Sequence, residues 1–297
     1  MLIKKVNYTS FKTIVTKMTY VASISADVLP ESLVKKILEG LFYCIYICLI
    51  YCICDFIRFK PQNKAELQEA VDMWCENRKE AEKKYGHISG WNTILITDMS
   101  RLFYYKSWFN DDISKWDTRN VTNMRGIFWG AHSFNQPIGG WDTSSVTNME
   151  DIFTNAKNFN QPIGGWNVSS VSNMKGMFCG AKSFNQPIGG WNVSSVTDMR
   201  HMFWHAHAFN QPISEWDTSS VIHMGNMFSY AYSFDQPIGE WNVSQVKDKS
   251  EMFNYADKLT KRPDSYFLSS KKNQSKKNVL LFQKKLHNGN KITWYLE

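Results

Sequence analysis

The sequence predicts a repeat solenoid in which each 25-residue coil combines a short parallel strand with a short helix, behind an N-terminal helical cap. Three observations predict it. Tryptophan recurs at Trp91, Trp116, Trp141, Trp166, Trp191, Trp216 and Trp241, a step of 25 without slip that takes in seven of the chain's 12 tryptophans. Methionine keeps the same step at Met99, Met124, Met149, Met174, Met199 and Met224, and phenylalanine does so at Phe103, Phe128, Phe153, Phe178, Phe203, Phe228 and Phe253 and again from Phe109 to Phe234. Finally, one unit is too short to bury these side chains by itself, so the units must stack and pool them into one interior.

Taken in order, residues 1–36 form an N-terminal segment, and 37–60 an apolar stretch centred on Leu41 to Cys54 and flanked by Lys35, Lys36, Arg58 and Lys60. From Ile37 to Ile57 it reaches about the 20 positions that span a bilayer. The two readings are a membrane anchor through 37–57 and a buried helix. Cys44, Cys48 and Cys52 share one helical stripe, which permits palmitoylation but equally suits packing. Residues 61–90 read as an amphipathic capping helix: Asn63 caps, Glu66 sits as in a capping box, Leu67, Val71, Trp74, Ala81 and Tyr85 form the apolar stripe, and Gly86 stops it.

Seven repeats fill 91–260. Within a unit, Met124, Ile127, Phe128 and Ala131 fall at i, i+3, i+4 and i+7, the pattern of a two-turn helix capped by Asn123. Trp116 to Thr118 alternates as a three-residue strand, and Gln136 to Gly140 supplies the returning turn. Strands of successive coils would lie about 4.8 Å apart. The column of Asn110, Asn135, Asn160, Asn185 and Asn210, continued by Asp235, is assigned to turn backbone groups rather than a ligand. The end units depart from the pattern, with Lys106 in the Ala131 column and Lys249 in the Met column. Residues 261–297 form a Lys-rich tail, solvated linker plus end cap, with Asn288-Gly289 between two alternating runs that read as a hairpin.

The net charge of +7 is not uniform. Residues 91–259 hold 12 basic and 15 acidic side chains, whereas 260–297 hold 9 against 2. A basic tail rather than a basic protein argues against specific nucleic-acid binding. The cysteines give neither a disulfide framework nor zinc spacing.

The unit W-D-T-S-S-V-T-N-M with F-N-Q-P-I-G-G-W resembles the repeat of the BspA-like leucine-rich-repeat surface proteins, the domain-of-unknown-function 285 family, and the run from Ala70 to Trp91 looks like the usual lead-in. The resemblance implies a leucine-rich-repeat-like solenoid, surface-exposed and used for adhesion or protein contacts. The chain lacks the lipoprotein signal common in that family.

No nucleophile elbow, P-loop, HExxH or dinucleotide fingerprint occurs, so the chain reads as a non-enzyme with no cofactor, no metal and no small-molecule substrate. His201, His205 and His207 are the nearest approach to a metal set, without a third partner of evident geometry. Asn167, Asn192 and Asn242 begin Asn-Val-Ser sequons that matter only inside a secretory lumen. Because packing fixes the repeated columns, a partner must be read by what varies, and the outward candidates for partner contact are Trp129, Trp204, His205, Tyr230 and Tyr232. The expected function is a protein-interaction or adhesion module, membrane-anchored or on a cell or virion surface; the alternative is an intracellular scaffold without an anchor.

Overall fold

The computed structural model describes residues 58–260, the isolated positions Lys36, Glu39 and Gly40, and the backbone at 282–285 and 292–295. The chain divides into two compact units, Met1–Arg58 and Phe59–Glu297. In the first, Lys36, Glu39 and Gly40 are helical and exposed, and the remainder of the apolar run at 37–57 lies outside the described residues. Among the described residues no helix is long and apolar enough to cross a membrane.

The second unit opens with two helices, α1 (Lys64–Glu76) and α2 (Arg78–Tyr85), where the sequence suggested one. Asn63 caps α1 by accepting the Glu66 N–H at 3.0 Å, while the Glu66 carboxylate accepts the Gln62 N–H at 2.8 Å. The break falls at Asn77, whose N–H closes α1 on Met73 O and whose side chain accepts the Glu80 N–H that opens α2. An asparagine can end one helix and start the next because its short side chain competes for backbone donors. Leu67, Ala70, Val71, Trp74 and Ala81 are buried against the first coil. That contact explains the odd residue of coil one: Lys106 is not a failed core alanine but reaches back to Asp72 at 2.7 Å and Glu76 at 3.9 Å on α1.

The stretch expected to be a helix in each coil is a run of overlapping turns. In the second coil the N–H groups of Ile127, Trp129 and Ala131 donate three residues back, at 3.0–3.2 Å, to Met124, Gly126 and Phe128. Those of Met124, Gly126, Phe128 and Gly130 donate instead, at 2.7–3.1 Å, to the carbonyls of Asn148, Glu150, Ile152 and Thr154 in the next coil. An α-helix would spend every N–H inside its own coil. Overlapping turns release every second one to the neighbour, so the same bonds that shape a coil also stack it. The first and last of these three turns carry a residue of positive φ in third place, Gly126 (φ 59°) and Gly130 (φ 72°).

No strand forms at Trp116–Thr118, which connects two turns. The parallel pairing lies further on, at single residues: Asp98, Asn123, Asn148, Asn173, Asp198, His223 and Asp248 bridge one to the next. Each of these polar residues except His223 also accepts the N–H two positions on, as in Asn123 Oδ1 with Arg125 N at 3.1 Å. A side-chain oxygen thus serves this column in six of the seven coils, and His223 keeps the bridge without one.

The interior is a set of ladders. The seven indoles are 3–4% exposed, and from Trp116 on each Nε1 donates to an isoleucine carbonyl 28 residues earlier, at 3.0–3.2 Å. Met124, Met149, Met174, Met199 and Met224, with Phe128, Phe153, Phe178, Phe203 and Phe228, are fully buried. Phe128 stacks on Phe134 of its own coil at 3.9 Å and on Phe153 of the next at 5.7 Å, and this alternation repeats along the array. At the returning turn, Asn110, Asn135, Asn160 and Asn185 each accept the N–H of the following coil's asparagine at 2.8–2.9 Å, and Asn210 accepts that of Asp235.

Near the C-terminus, β1 (Phe282–Lys285) pairs antiparallel with β2 (Ile292–Tyr295), Phe282 opposite Tyr295. The intervening Asn288-Gly289 turn and the lysines of 261–281 lie outside the described residues.

Candidate contact surface

The run of turns presents two columns of positive φ on the outside of the coils. One holds Arg101, Gly126, Asp151, Gly176, His201, Asn226 and Glu251; the other holds Tyr105, Gly130, Asn155, Gly180, His205, Tyr230 and Tyr255. Left-handed backbone normally favours glycine or asparagine. Here tyrosine and histidine occupy it, and the cost is offset by contacts between coils: the His205 and Tyr230 rings stack at 4.3 Å, and Tyr230 and Tyr255 at 4.6 Å.

The five outward candidates are partly separated. His205, Tyr230 and Tyr232 belong to one patch, joined by His207, which lies 4.8 Å from Tyr232 ring to ring. Trp204 covers its edge, 4.5 Å from His205. Trp129 lies three coils away against Tyr104 at 5.6 Å, and its indole N–H is buried with no acceptor among the described residues. Only Tyr232, 41% exposed, is open; the other four are half-buried. The patch therefore presents ring edges more than faces.

His201, His205 and His207 do not share a helical face, because there is no helix beneath them. His205 Nδ1 and His207 Nε2 approach to 3.5 Å, while His201 packs on Trp204. Among the described residues no group of three or more His, Cys, Asp or Glu side chains is arranged to hold a metal. Burial, reinforced by Lys182, pulls the basicity of His205 and His207 below the ordinary histidine range; His201 is lowered by burial first and then by Lys175 and Arg200.

Sequence reasoning missed the opposite end. Tyr104, Tyr105 and Trp108 are exposed on coil one, Trp108 by 90%. Tyr105, Trp108 and Phe109 line a pocket of about 440 Å³ with Trp74, Cys75 and Arg78 of the cap. Asp111 anchors it, accepting from Trp74 Nε1 at 2.9 Å and pairing with Arg78, whose guanidinium also sits 5.1 Å above the Trp74 ring. Cys75 is exposed as a residue, yet the protein around its thiol desolvates it and pushes it up to about 11, so the protonated form prevails at neutral pH. A signal was present: Trp108 is the one aromatic residue in its column, which Ser133, Asn158, Ser183, Ala208, Ser233 and Lys258 continue.

One buried acid cluster sits between these regions. Glu150 pairs with Arg125 at 3.2 Å and Lys175 at 3.3 Å. Its neighbour Asp151 makes no ion pair among the described residues and lies over Gly176, close enough that a β-carbon there would sit 2.1 Å from Oδ1. Burial, then the Glu150 charge, raises the Asp151 carboxyl, against a lowering by the Thr154 hydroxyl.

The family described as "Mycoplasma protein of unknown function, DUF285" matches residues 71–191 and 174–288. No curated protein and no solved structure gives a significant match.

Proposed function

We propose that this chain, which belongs to the DUF285 family, is a non-enzymatic protein-interaction or adhesion module built on a leucine-rich-repeat-like solenoid of the BspA-like kind, displayed at a surface through its apolar segment at 37–57. The observation that carries the reading is the division of labour between columns. Interior positions repeat almost without variation, while the outer positive-φ column runs through tyrosine, glycine, asparagine and histidine. A rigid scaffold that varies only its outward side chains suits recognition of a protein surface, with aromatic rings as anchors. A repeated column offers no single place for a catalytic group, and a solvent-facing ring edge offers no enclosure for a small substrate.

The test uses the full chain beside a Tyr230→Ser/Tyr232→Ser/Tyr255→Ser variant whose thermal melt is first checked. Cell-surface proteins retained by the parent and lost by the variant are the expected result; equal retention would place recognition elsewhere. Membrane fractionation of cells making the full chain tests display separately: recovery in the soluble fraction would remove the tether from the reading.

A further inference from the structure

Three residues of the first coil leave the repeat, and all three line one cavity. Lys106 stands where the six later coils have alanine, Asp111 where five have glutamine, and Trp108 is the one aromatic in its column. They meet Trp74 and Arg78 of the cap around the pocket of about 440 Å³. Packing against the cap accounts for two of them. Lys106 pairs with Asp72 and Glu76, and Asp111 accepts the Trp74 indole N–H at 2.9 Å, whereas the next coil's Gln136 bonds back to Asn110. Packing does not account for Trp108, which is 90% exposed and so buries little on folding. A large ring held in water beside a cavity belongs to a binding surface rather than to a scaffold.

The walls are set before anything binds. Trp74, 2% exposed, is wedged edge-on against His87 and Trp91 at 5.0 and 5.9 Å. The Tyr105 ring lies across Gly130, so close that a β-carbon there would come within 2.9 Å of it, and the Tyr105 N–H donates to Trp129 O at 2.7 Å. Such preorganisation spares a ligand the cost of ordering its site.

The charges decide what kind of ligand fits. Arg78, Lys106, Asp111 and Glu76 line the pocket, and they are already paired, Arg78 with Asp111 and Lys106 with Glu76. A charged ligand has to break a pair; a neutral one carrying several hydroxyls does not. Trp74 and Arg78 both bond Oδ2 of Asp111, which leaves Oδ1 without a donor among the described residues and Arg78 with further N–H groups to give. An acceptor beside a donor suits two neighbouring hydroxyls, and the C–H face of a sugar ring packs flat on an exposed indole. The volume falls within the roughly 300–1,000 Å³ of small-ligand sites.

We propose that the cavity between the cap and coil one is a glycan-binding site. It takes the end of a neutral saccharide, with the sugar ring on Trp108 and its hydroxyls between Asp111 and Arg78. The site is separate from the aromatic patch of His205, Tyr230 and Tyr232 and does not depend on it.

Binding of the full chain to an array of neutral glycans ending in glucose, galactose, mannose or N-acetylglucosamine tests this. The parent should hold at least one of these classes, Trp108→Ala should weaken that binding about tenfold or more without moving the thermal melt, and Trp108→Phe should keep part of it. The Tyr230→Ser/Tyr232→Ser/Tyr255→Ser variant should bind as the parent does. Retention of none of the four classes would overturn the proposal, as would binding that survives Trp108→Ala. So would binding confined to sulfated or sialylated glycans and lost at high salt, which would make this an anion site.

Discussion

The Phe128–Phe228 column and the Tyr105–Tyr255 column have the same 25-residue step and opposite rules. Inside, five coils out of five place phenylalanine at full burial, each ring stacked on those above and below. Outside, the backbone is equally constant, with φ between 54° and 72° in every coil, yet the side chain runs from none to tyrosine. Constancy of backbone therefore does not require constancy of residue. The interior column is held by volume and contact, whereas the outer one is held by hydrogen bonds that pass through the main chain. Replacing the side chain outside leaves those bonds in place; replacing it inside opens a void shared by three coils.

The sharpest way to break this contrast is to cut each column once. Phe178→Ala should cost about 3–5 kcal/mol in chemical denaturation, because a ring buried on both sides leaves a cavity that rigid neighbours fill poorly. Tyr255→Ala outside should stay within about 0.5 kcal/mol. Comparable losses would erase the distinction.

Glycine marks a place where the outer column is constrained. Gly176 combines φ 63° with the Asp151 carboxylate lying where its β-carbon would be. Gly176→Val should lose about 2–3 kcal/mol by urea titration, from left-handed strain and displacement of Asp151 together. The double variant Gly176→Val/Asp151→Gly should recover part of that loss, and no recovery would show that strain alone operates.

The turn ladder is intermediate. Asn160→Ala leaves the Asn185 N–H without its acceptor at 2.9 Å and removes the partner of Gln186, so about 1–2 kcal/mol should be lost, read from the shift in melting temperature.

The smallest effect is a pH dependence. Asp151 is raised in the folded chain, so its favourable contribution is complete below the ordinary carboxylate range and disappears as pH rises through the elevated folded value. Arg125 and Lys175 face it across Glu150 and limit the effect. Asp151→Asn should flatten the stability profile in that window, and an unchanged slope would show that the carboxyl is solvated.

How much of this was readable beforehand follows from the same contrast. Columns fixed by volume were legible, because Trp, Met and Phe at constant spacing have no other economical explanation, and the stripe Leu67, Val71, Trp74, Ala81 identified the cap. The conformation joining the columns was not. Met124, Ile127, Phe128 and Ala131 fit a helix by spacing, yet overlapping turns place the same residues inward, and only the positive φ at Gly126 and Gly130 separates the two. Glycine pairs four apart at 126/130 and 176/180 were the available hint, masked by Asp151, Asn155, His201 and His205 in the same columns. Of the outer surface, the aromatic character of His205, Tyr230 and Tyr232 was visible; their mutual stacking and the pocket beside Trp108 depend on contacts between coils and between coil and cap, which composition does not record.

The claim beneath all of this is that each coil is completed by its neighbour in exact register. Excising Trp166–Gly190, one full period, tests it directly against excising one residue fewer. The full-period deletion should keep a single unfolding transition, coincident by tryptophan fluorescence and circular dichroism, while the 24-residue deletion should abolish it. Two deletions that melt alike would contradict the account.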